Sequence, residues 1–371
     1  MFDLALNEDI AMIQDVVQKF ADDMLAENYR DFEADKAIPE SVLSAYTNLG
    51  LASLEITESL GGAALGALAK TIVLEELAFG DAGSVLALDG IGPALYAIAE
   101  TGGDSAVQSY VLPLLDKPEA RVLLIWDDNS QATDIERIST DGYRATIPWV
   151  PASKADLIVV LDPQGASLID QGFVLNPVKG SGLRAAGAAE LVLGNATNPA
   201  PVKMRWDNKA GAARALARWQ LYISALMMGV FRVAAETSRE YAMERVAFGK
   251  PIAHHQAIAF LIADMRTAVD GTRLLIQDAA CRADARQPFE AIAAAAFVEA
   301  IEASMFITPN ALQLFGGQGF MQDLPLEKYM REARTLGLMA GGVDLAREIA
   351  GRDICANDGV IELSALAQQD N

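Results

Sequence analysis

One segment of the sequence combines residue types that bind phosphate groups and aromatic rings. It reads ERVAFGKPI over residues 244–252 and continues into His255 and Gln256. Its glycine and proline predict a tight turn between two helices, the second of which begins near His255. An arginine at such a turn, Arg245, can hold a phosphate with two donors, and an aromatic ring, Phe248, can cover a ring face. A helix–turn–helix corner with a purely structural role would show the same pattern, so both interpretations remain open.

Metal sites and dinucleotide-binding sites of the Rossmann type are not predicted. His254 and His255 are the only histidines, and neighbouring helical residues point to different faces. Cys281 and Cys355 are too few for a disulfide framework or a four-thiolate zinc site. The Gly-Gly pairs at 61–62 and 341–342 do not lie in a strand–turn–helix context with G-x-G-x-x-G spacing.

Composition narrows the class of protein. The chain has 371 residues, 52% of them hydrophobic and 21% charged, which is typical of globular proteins with more than one sub-domain. A net charge of −21 argues against nucleic acids or anionic membranes as partners, because both require a basic surface. Acids near the start argue against a signal peptide, and Glu299 and Glu302 interrupt the longest apolar run. We expect a cytoplasmic protein that does not span a membrane.

The sequence pattern of the elements that position the turn at 244–252 changes twice along the chain, from helical to β and back to helical. Residues 1–112 are predicted to be helical: Ile10, Ile13, Val17 and Phe20 recur at helical spacing, and a helix over 67–78 should end near Gly80-Asp81. Short apolar runs bounded by turns, at 122–125, 157–161 and 191–193, predict a small β domain over 113–207. The helical pattern then returns and predicts a C-terminal four-helix bundle over 208–371. The expected fold is mainly α with a β domain.

Three groups of motifs resemble those of the acyl-CoA dehydrogenases and follow that family's order. The first is LGL at 49–51 with ESLGG at 58–62 and VLEEL at 73–77. The second is ERVAFGKPI with HQAIAF at 255–260 and ADM at 263–265. The third is LQLFGGQGF at 312–320 with PLEKYMREAR at 325–334. The resemblance covers nearly the whole chain, and it implies two helical domains on either side of a β domain.

The resemblance also implies a chemistry. In this family a hydride passes from C3 of an acyl-CoA thioester to FAD while a glutamate removes the α proton, and the electrons continue to an electron-transferring flavoprotein. The reaction needs that base because a C–H bond beside a thioester is a very weak acid. The protein supplies the base, the position and the polarity, and the flavin supplies the redox chemistry.

The usual base is absent. In most of the family a glutamate lies in a [YF]-E-G-T string shortly after the R-[DE]-A-[RK] segment. Here Ala340 occupies the glutamate position, and Gly342 replaces the threonine that contacts the flavin. The alternative base position of some members falls at or beside Trp219, where no carboxylate is found. Asp344 and Glu236 are nearby acids, and solvated helix residues are the simpler interpretation of both.

The predicted β domain departs from the family as well. The A-x-T-E-P-x-x-G-S-D loop, which meets flavin and substrate in the family, corresponds here to LIWDDNS at 124–130. The K-x-[WF]-I-[TS]-N strand survives only as IPWVP at 147–151. Trp149 could lie beside a flavin, but a core aromatic residue is the interpretation that the pattern favours. The domain is also short.

The losses follow a pattern. In the family the β domain and the E-G-T string hold the FAD of their own subunit, whereas the R-x-x-F-G turn and the Q-x-F-G-G string reach the FAD of a neighbouring subunit. This chain has lost the first set and kept the second. The resemblance therefore assigns a cofactor-binding role toward the neighbour's FAD to seven residues: Arg245, Phe248, His255, Gln256, Gln313, Gly316 and Gly317.

We therefore expect a subunit without its own catalytic base that completes the FAD site of a homologous catalytic partner. The sequence resembles the degenerate chains of α2β2 acyl-CoA dehydrogenases from bacterial steroid side-chain degradation. Two alternatives stay open: a homomeric acyl-CoA dehydrogenase with a relocated base, and a non-enzymatic acyl-CoA-binding homologue. The sequence leaves open the acyl group, the identity of the partner, and whether the chain itself binds CoA.

Overall fold

The N-terminal part is helical, as the spacing of its apolar residues predicts. The computed structural model describes residues 6, 8–128, 135–139, 142–195 and 197–356. A π-helical turn over Ala21–Ala26 extends the first helix, and short 3-10 turns lie at Leu51–Ser53 and Glu58–Leu60. The helices are α1 Glu8–Phe20, α2 Tyr29–Asp35, α3 Glu40–Asn48, α4 Ala67–Leu88, α5 Ala94–Tyr110 and α6 Leu112–Leu115.

Helix α4 does not end at Gly80-Asp81, where the sequence predicts its end, but kinks there and continues to Leu88. Asp81 leaves helical geometry, with φ −168° and ψ 110°. Its carboxylate accepts the backbone N–H of Ser84 at 2.9 Å, so it caps the second half of the helix as a new N-terminus. The helix is buried along nearly its whole length, and this tertiary environment outweighs the local turn signal.

The β domain consists of two sheets, and it contains the three strands that the apolar runs predict. The strands are β1 Val122–Trp126, β2 Ile135–Ser139, β3 Gly142–Val150, β4 Leu157–Asp162, β5 Gly165–Ile169, β6 Phe173–Pro177, β7 Ala189–Leu193, β8 Ala200–Pro201 and β9 Met204–Asp207. One sheet has the order β1-β4-β5-β9, with β1 and β4 parallel and the other pairs antiparallel. The other is antiparallel, with the order β2-β3-β7-β6, and β8 pairs with β3. A separate hydrophobic core lies between them.

The C-terminal part is a bundle of long helices. They are α7 Lys209–Glu244, α8 Gln256–Asp284, α9 Glu290–Leu314, α10 Leu326–Leu336 and α11 Gly342–Ala356. Helix α7 packs on α4, α5, α8 and α9 and joins the N-terminal helices to the bundle in one core. A Cβ at Gly229 would come within 2.5 Å of the carbonyl oxygen of Glu75, so glycine is required where α7 crosses α4.

Helix α9 is the one helix among the described residues that is long and apolar enough to cross a membrane by length and composition. It packs against α7, α8, α10 and α11. The side chains on one side of the helix are fully buried, among them Phe297, Ala300 and Ile307. These contacts are those of a core helix in a bundle, which explains its apolar composition without a membrane.

Candidate functional site

The predicted turn after α7 is a two-strand hairpin. Strand β10, Val246–Ala247, pairs antiparallel with β11, Lys250–Pro251, and α8 begins at Gln256 as expected. Phe248 and Gly249 form the turn between them with φ of 53° and 83°. Two consecutive residues with positive φ are typical of a tight hairpin turn, but a phenylalanine there is uncommon. The Phe248 side chain is 96% exposed, so no internal packing accounts for it.

Arg245 joins α7 to this hairpin and presents its side chain to the outside. Its backbone N–H donates to the Tyr241 carbonyl and its own carbonyl accepts from Ile252, both at 2.8 Å. The side chain is exposed, and within the described part of the chain it has no ion pair. The carboxylate of Glu240 lies 3.5 Å from Arg239 instead. The structural alternative for Arg245, an ion pair on its own helix, is therefore not seen.

The two histidines lie in different surroundings. A ring nitrogen of His255, Nε2, lies 3.1 Å from the Ala247 carbonyl oxygen and so donates to it, which fixes the ring beside the hairpin. The ring of Phe248 meets that of His255 edge-on, with 6.0 Å between centroids. His254 is exposed, and Gln256 lies exposed at the start of α8. No group of three or more potential metal ligands occurs among the described residues.

The turn after α9 lies beside this hairpin. The rings of Tyr241, at the end of α7, and Phe315 stack at 4.0 Å, and the Tyr241 hydroxyl donates to Gln318 at 3.2 Å. Gln313 is exposed, and Gly316 has a φ of 57°. A Cβ at Gly316 or Gly317 would meet no atom within 4 Å. The described chain itself thus gives no steric reason for Gly317, whereas close approach by a ligand or another chain would give one.

Exposed apolar side chains surround both elements. They are Met243, Val246, Phe248, Phe260, Phe320 and Met321, and we call them, together with Arg245, Gly316 and Gly317, the hairpin face. Scattered exposed apolar residues need no explanation, but a set that shares one region is typical of a surface that another chain covers. The contacts of Tyr241 with Phe315 and Gln318 bring together the two segments that contain the seven predicted FAD-binding residues.

The residue at the usual base position lies elsewhere, in a cavity of about 800 Å³. Ala340 is 1% exposed, and Ala340, Gly341 and Gly342 all have positive φ, at 52°, 82° and 74°. Trp219 on α7, at the alternative base position, lines the same cavity. We call it the tryptophan cavity, and its lining residues are Leu124, Ile125, Trp126, Asp128, Ile147, Trp149, Val150, Pro151, Pro163, Trp219, Leu338, Met339, Ala340, Gly341, Asp344, Leu345, Glu348 and Arg352.

Each carboxylate that lines the tryptophan cavity in the described chain belongs to an exposed residue. Asp344 has a 97% exposed side chain, with the guanidinium of Arg347 3.8 Å away. Glu348 forms an ion pair with Arg352, and Asp128 is exposed. A base for an α C–H works in a site from which water is excluded, and these carboxylates are solvated. Glu236 is absent from the lining. Of the loop at 124–130, Asn129 and Ser130 lie outside the described residues.

A charged cluster that the sequence does not predict lies between α4, α5 and α7 and includes Arg218, the residue before Trp219. Arg218 forms an ion pair with Glu55 and lies over the Tyr96 ring, 4.4 Å from its centroid. The Tyr96 hydroxyl donates to Glu55 at 2.8 Å. Lys70 and Asp89 are paired at 2.8 Å nearby. These residues are far apart in sequence, so no spacing could have predicted the cluster.

Family models match most of the chain. The model of the acyl-CoA dehydrogenase N-terminal domain matches residues 7–117, and that of the C-terminal domain matches residues 211–355. The chain belongs to the acyl-CoA dehydrogenase family. It is thus a member of a family of FAD-type oxidoreductases, and its helical, β and helical domains are those of the family fold.

Relatives and solved structures agree with this assignment. The chain is 26% identical to a probable acyl-CoA dehydrogenase, FadE25, of Mycobacterium tuberculosis, over 95% of this chain and 97% of that protein. It is 27% identical to the mitochondrial short-chain specific acyl-CoA dehydrogenase of Bos taurus, over 92% and 89%. Butyryl-CoA dehydrogenase from Megasphaera elsdenii has the same fold, with a TM-score of 0.81 at 21% identity, over 95% of this chain and all of that one.

Proposed function

We propose that this chain is the base-less subunit of a heteromeric acyl-CoA dehydrogenase and completes the FAD site of a homologous catalytic partner. The observation behind the proposal is the contrast between its two half-sites. At the tryptophan cavity, alanine stands where the family has its base. At the hairpin face, an arginine without a partner in the described chain and two glycines without steric neighbours remain exposed.

The two half-sites also differ in how well they fit FAD. The free guanidinium of Arg245 can hold diphosphate oxygens with two donors, and the bare backbone at Gly316 and Gly317 permits close approach. Phe248 offers a ring face beside them. The lining of the tryptophan cavity offers exposed acids instead of the family's hydroxyl and amide donors. The chain's own residues therefore fit a flavin shared with a partner better than one held alone.

The finer parts of the proposal come from the resemblance of the sequence to degenerate chains of α2β2 enzymes. They are a steroid side-chain CoA ester as the substrate of the assembled enzyme, an electron-transferring flavoprotein as the electron acceptor, and a cytoplasmic location. The catalytic partner would supply the base and the flavin-ring contacts. This chain would supply the residues that contact the FAD tail. The partner does not supply those residues to its own site.

We expect the chain expressed alone to bind FAD poorly, and the complex with its partner to hold one FAD per pair of unlike chains. Each lost ring-side hydrogen bond removes about 1 kcal/mol of binding free energy. Absorbance at the flavin band, divided by protein concentration, measures both quantities. A stable, flavin-loaded homomer from single-chain expression, or one FAD per chain in the complex, would contradict the proposal.

A second function, a homomeric dehydrogenase with a relocated base, is favoured by one observation: Asp344 lies on the wall of the tryptophan cavity. Under that alternative the chain alone would be active, and Asp344→Asn would abolish turnover. Under our proposal Asp344→Asn leaves the activity of the complex unchanged. The variant is expected to fold, because its side chain is almost fully exposed.

Restoring a carboxylate at position 340 should have little effect on the assembled enzyme. Ala340→Glu keeps a Cβ at the same left-handed backbone position, and the side chain would enter a cavity with room for it. A base accelerates the reaction only where substrate and flavin lie within its reach. We expect turnover of the complex to stay within about twofold of the unchanged enzyme. A large gain in turnover would reveal a second competent site in this subunit.

A further inference from the structure

A second cavity, of about 450 Å³, has three arginines in its lining, and we call it the arginine pocket. Arg214 and Arg218 lie one turn apart on α7, and Arg286 follows the end of α8. The acids among its described lining residues are Glu100 on α5 and Asp284 at the end of α8. In a chain with a net charge of −21, a cavity with more cations than acids in its lining is a local exception. No described residue lines both this pocket and the tryptophan cavity.

The charge of Asp284 is matched by the start of α4 rather than by an arginine. Its carboxylate accepts the backbone N–H of Ala67 at 2.6 Å and that of Leu68 at 3.1 Å. A Cβ at Gly66 would come within 2.2 Å of this carboxylate, so glycine is required for the carboxylate to reach the helix end. Free N–H groups and the helix dipole stabilise a negative charge at this position. Asp284 therefore fixes one wall of the pocket and leaves the three arginines to other partners.

The three arginines have fewer acids than they could bind. The Glu100 carboxylate lies 2.7 Å from Arg214 and 3.5 Å from Arg218, so one acid of the lining serves two guanidinium groups. Arg218 is also paired with Glu55, whose side chain is 5% exposed. Arg286 is exposed and has no ion pair within the described part of the chain. The pocket therefore presents an excess of positive charge, with Arg286 as its unmatched group.

The rest of the lining suits a small organic molecule. Phe289 is 5% exposed, and with Ala67 and Ala283 it gives the pocket an apolar surface. Gln287 adds an amide that can donate and accept hydrogen bonds. A volume of about 450 Å³ lies within the range of small-molecule sites. Guanidinium groups hold carboxylates and phosphates with two parallel donors, which favours these anionic groups over others.

We propose that the arginine pocket binds a small organic dianion that carries carboxylate or phosphate groups, and that Arg214 and Arg286 hold its charges. Its carbon skeleton lies against Phe289. Arg218 stays with Glu55 and contributes to the field of the pocket. This site does not depend on the proposed role of the hairpin face, because no residue of that face lines the pocket.

The test is calorimetric titration of the full chain with three probes: succinate, its uncharged isostere succinamide, and glycerol 3-phosphate. At least one dianion should bind once per chain and about tenfold or more tightly than succinamide at low salt. Its affinity should fall as salt rises, because screening weakens attraction to exposed cations. The tighter dianion shows which of the two anionic groups the pocket prefers. If neither dianion binds, or if succinamide binds as well as succinate does, the proposal is wrong.

Loss of one arginine at a time assigns the binding to this pocket. Arg286→Gln and Arg214→Gln should each weaken the bound dianion about tenfold or more. Arg286→Gln is expected to fold, because the side chain is exposed and has no ion pair within the described chain. Arg282→Gln is the matched control, since Arg282 lies four residues earlier, pairs with Asp278 and does not line the pocket. Unchanged affinity in Arg286→Gln, or an equal loss in Arg282→Gln, would overturn the assignment.

A gain of binding gives a second, independent readout. Glu100→Gln removes the acid that competes with the ligand for Arg214, so the affinity for the dianion should rise about threefold or more. Impaired folding would lower the affinity rather than raise it. Unchanged or weaker binding in Glu100→Gln therefore contradicts the proposal. The FAD content of the heteromer is a separate measurement, so the arginine pocket and the hairpin face can each fail without the other.

Discussion

Replacing Lys328 with methionine is expected to destabilise the chain by about 3–5 kcal/mol, the usual cost of leaving buried charge uncompensated. Lys328 is 1% exposed, and its ammonium contacts the carboxylates of Asp81 and Glu332, the latter at 2.6 Å. The Tyr29 ring lies over it at 5.6 Å from the centroid. Without the ammonium, two carboxylates would face each other in the core with no cation between them. Denaturant unfolding of wild type and variant measures the difference.

The pH dependence separates loss of charge from loss of packing. Burial raises the pKa of Glu332 to about 7, although Lys328 opposes the shift. A carboxyl with a raised pKa holds its proton longer in the folded state, so its contribution to stability falls as pH rises from about 4.5 toward 7. The deficit of Lys328→Met should therefore shrink as pH falls and Glu332 takes up a proton. Glu332→Gln should remove this part of the pH dependence from the wild type.

Lys117→Met is the matched control, because Lys117 is exposed and should change stability by less than about 0.5 kcal/mol. A loss below about 1 kcal/mol in Lys328→Met would show that apolar packing can replace the network. A deficit independent of pH would assign the loss to packing and contradict the role of charge. The double variant Lys328→Met with Glu332→Gln should recover part of the loss, since one of the two opposing carboxylates is gone.

This network also explains the kink that the sequence does not predict. Asp81 departs from helical geometry and directs one carboxylate oxygen to Ser84 and the other to Lys328 on α10. The kink thereby joins α4 to α10, the helix directly before the loop that contains Ala340. The Gly80-Asp81 signal correctly marks a break in regular geometry. It is wrong about the end of the helix, because the ion pair that stabilises the break lies far away in sequence.

Local periodicity accounts for the elements that the sequence predicts correctly. Helix α1, strands β1, β4 and β7, and the hairpin after α7 each follow from the spacing or composition of a few neighbouring residues. Apolar residues at a period of 3.6 or 2 must face one core, so their spacing alone predicts the element. The charged cluster around Arg218 and the tryptophan cavity arise from contacts between distant segments, and no local pattern encodes them.

The candidate site likewise has parts that the sequence predicts and parts that arise only from the packing of distant segments. Motif resemblance selects Arg245, Gln313 and Gly316 from two segments, and the structure places those segments side by side through Tyr241. It also places Ala340 and Trp219, the two alternative base positions, on one cavity. Whether the hairpin face contacts the FAD of another chain depends on surfaces that a single chain does not contain, and so stays a prediction that mutation must test.

Replacing Arg245 with alanine is expected to leave the heteromer assembled and to lower its affinity for FAD about tenfold or more. A guanidinium that holds a diphosphate oxygen with two donors contributes about 1.5–3 kcal/mol, and about 1.4 kcal/mol corresponds to a factor of ten in affinity. The side chain is exposed and has no ion pair within the described chain, so its removal should not cost folding free energy. Flavin absorbance after gel filtration, together with the mass of the complex, measures both effects.

Arg239→Ala provides the matched control for this change. Arg239 lies on the same helix, is exposed, and sits 3.5 Å from the carboxylate of Glu240, so the two variants remove the same charge from neighbouring positions. An exposed pair of that kind contributes under about 1 kcal/mol, and its loss should leave the FAD content unchanged. If both variants lose flavin equally, general electrostatics explains the effect rather than a specific contact. If Arg245→Ala keeps full FAD content and activity, Arg245 does not bind the partner's FAD. If Arg245→Ala loses flavin and Arg239→Ala does not, the diphosphate contact is assigned to Arg245.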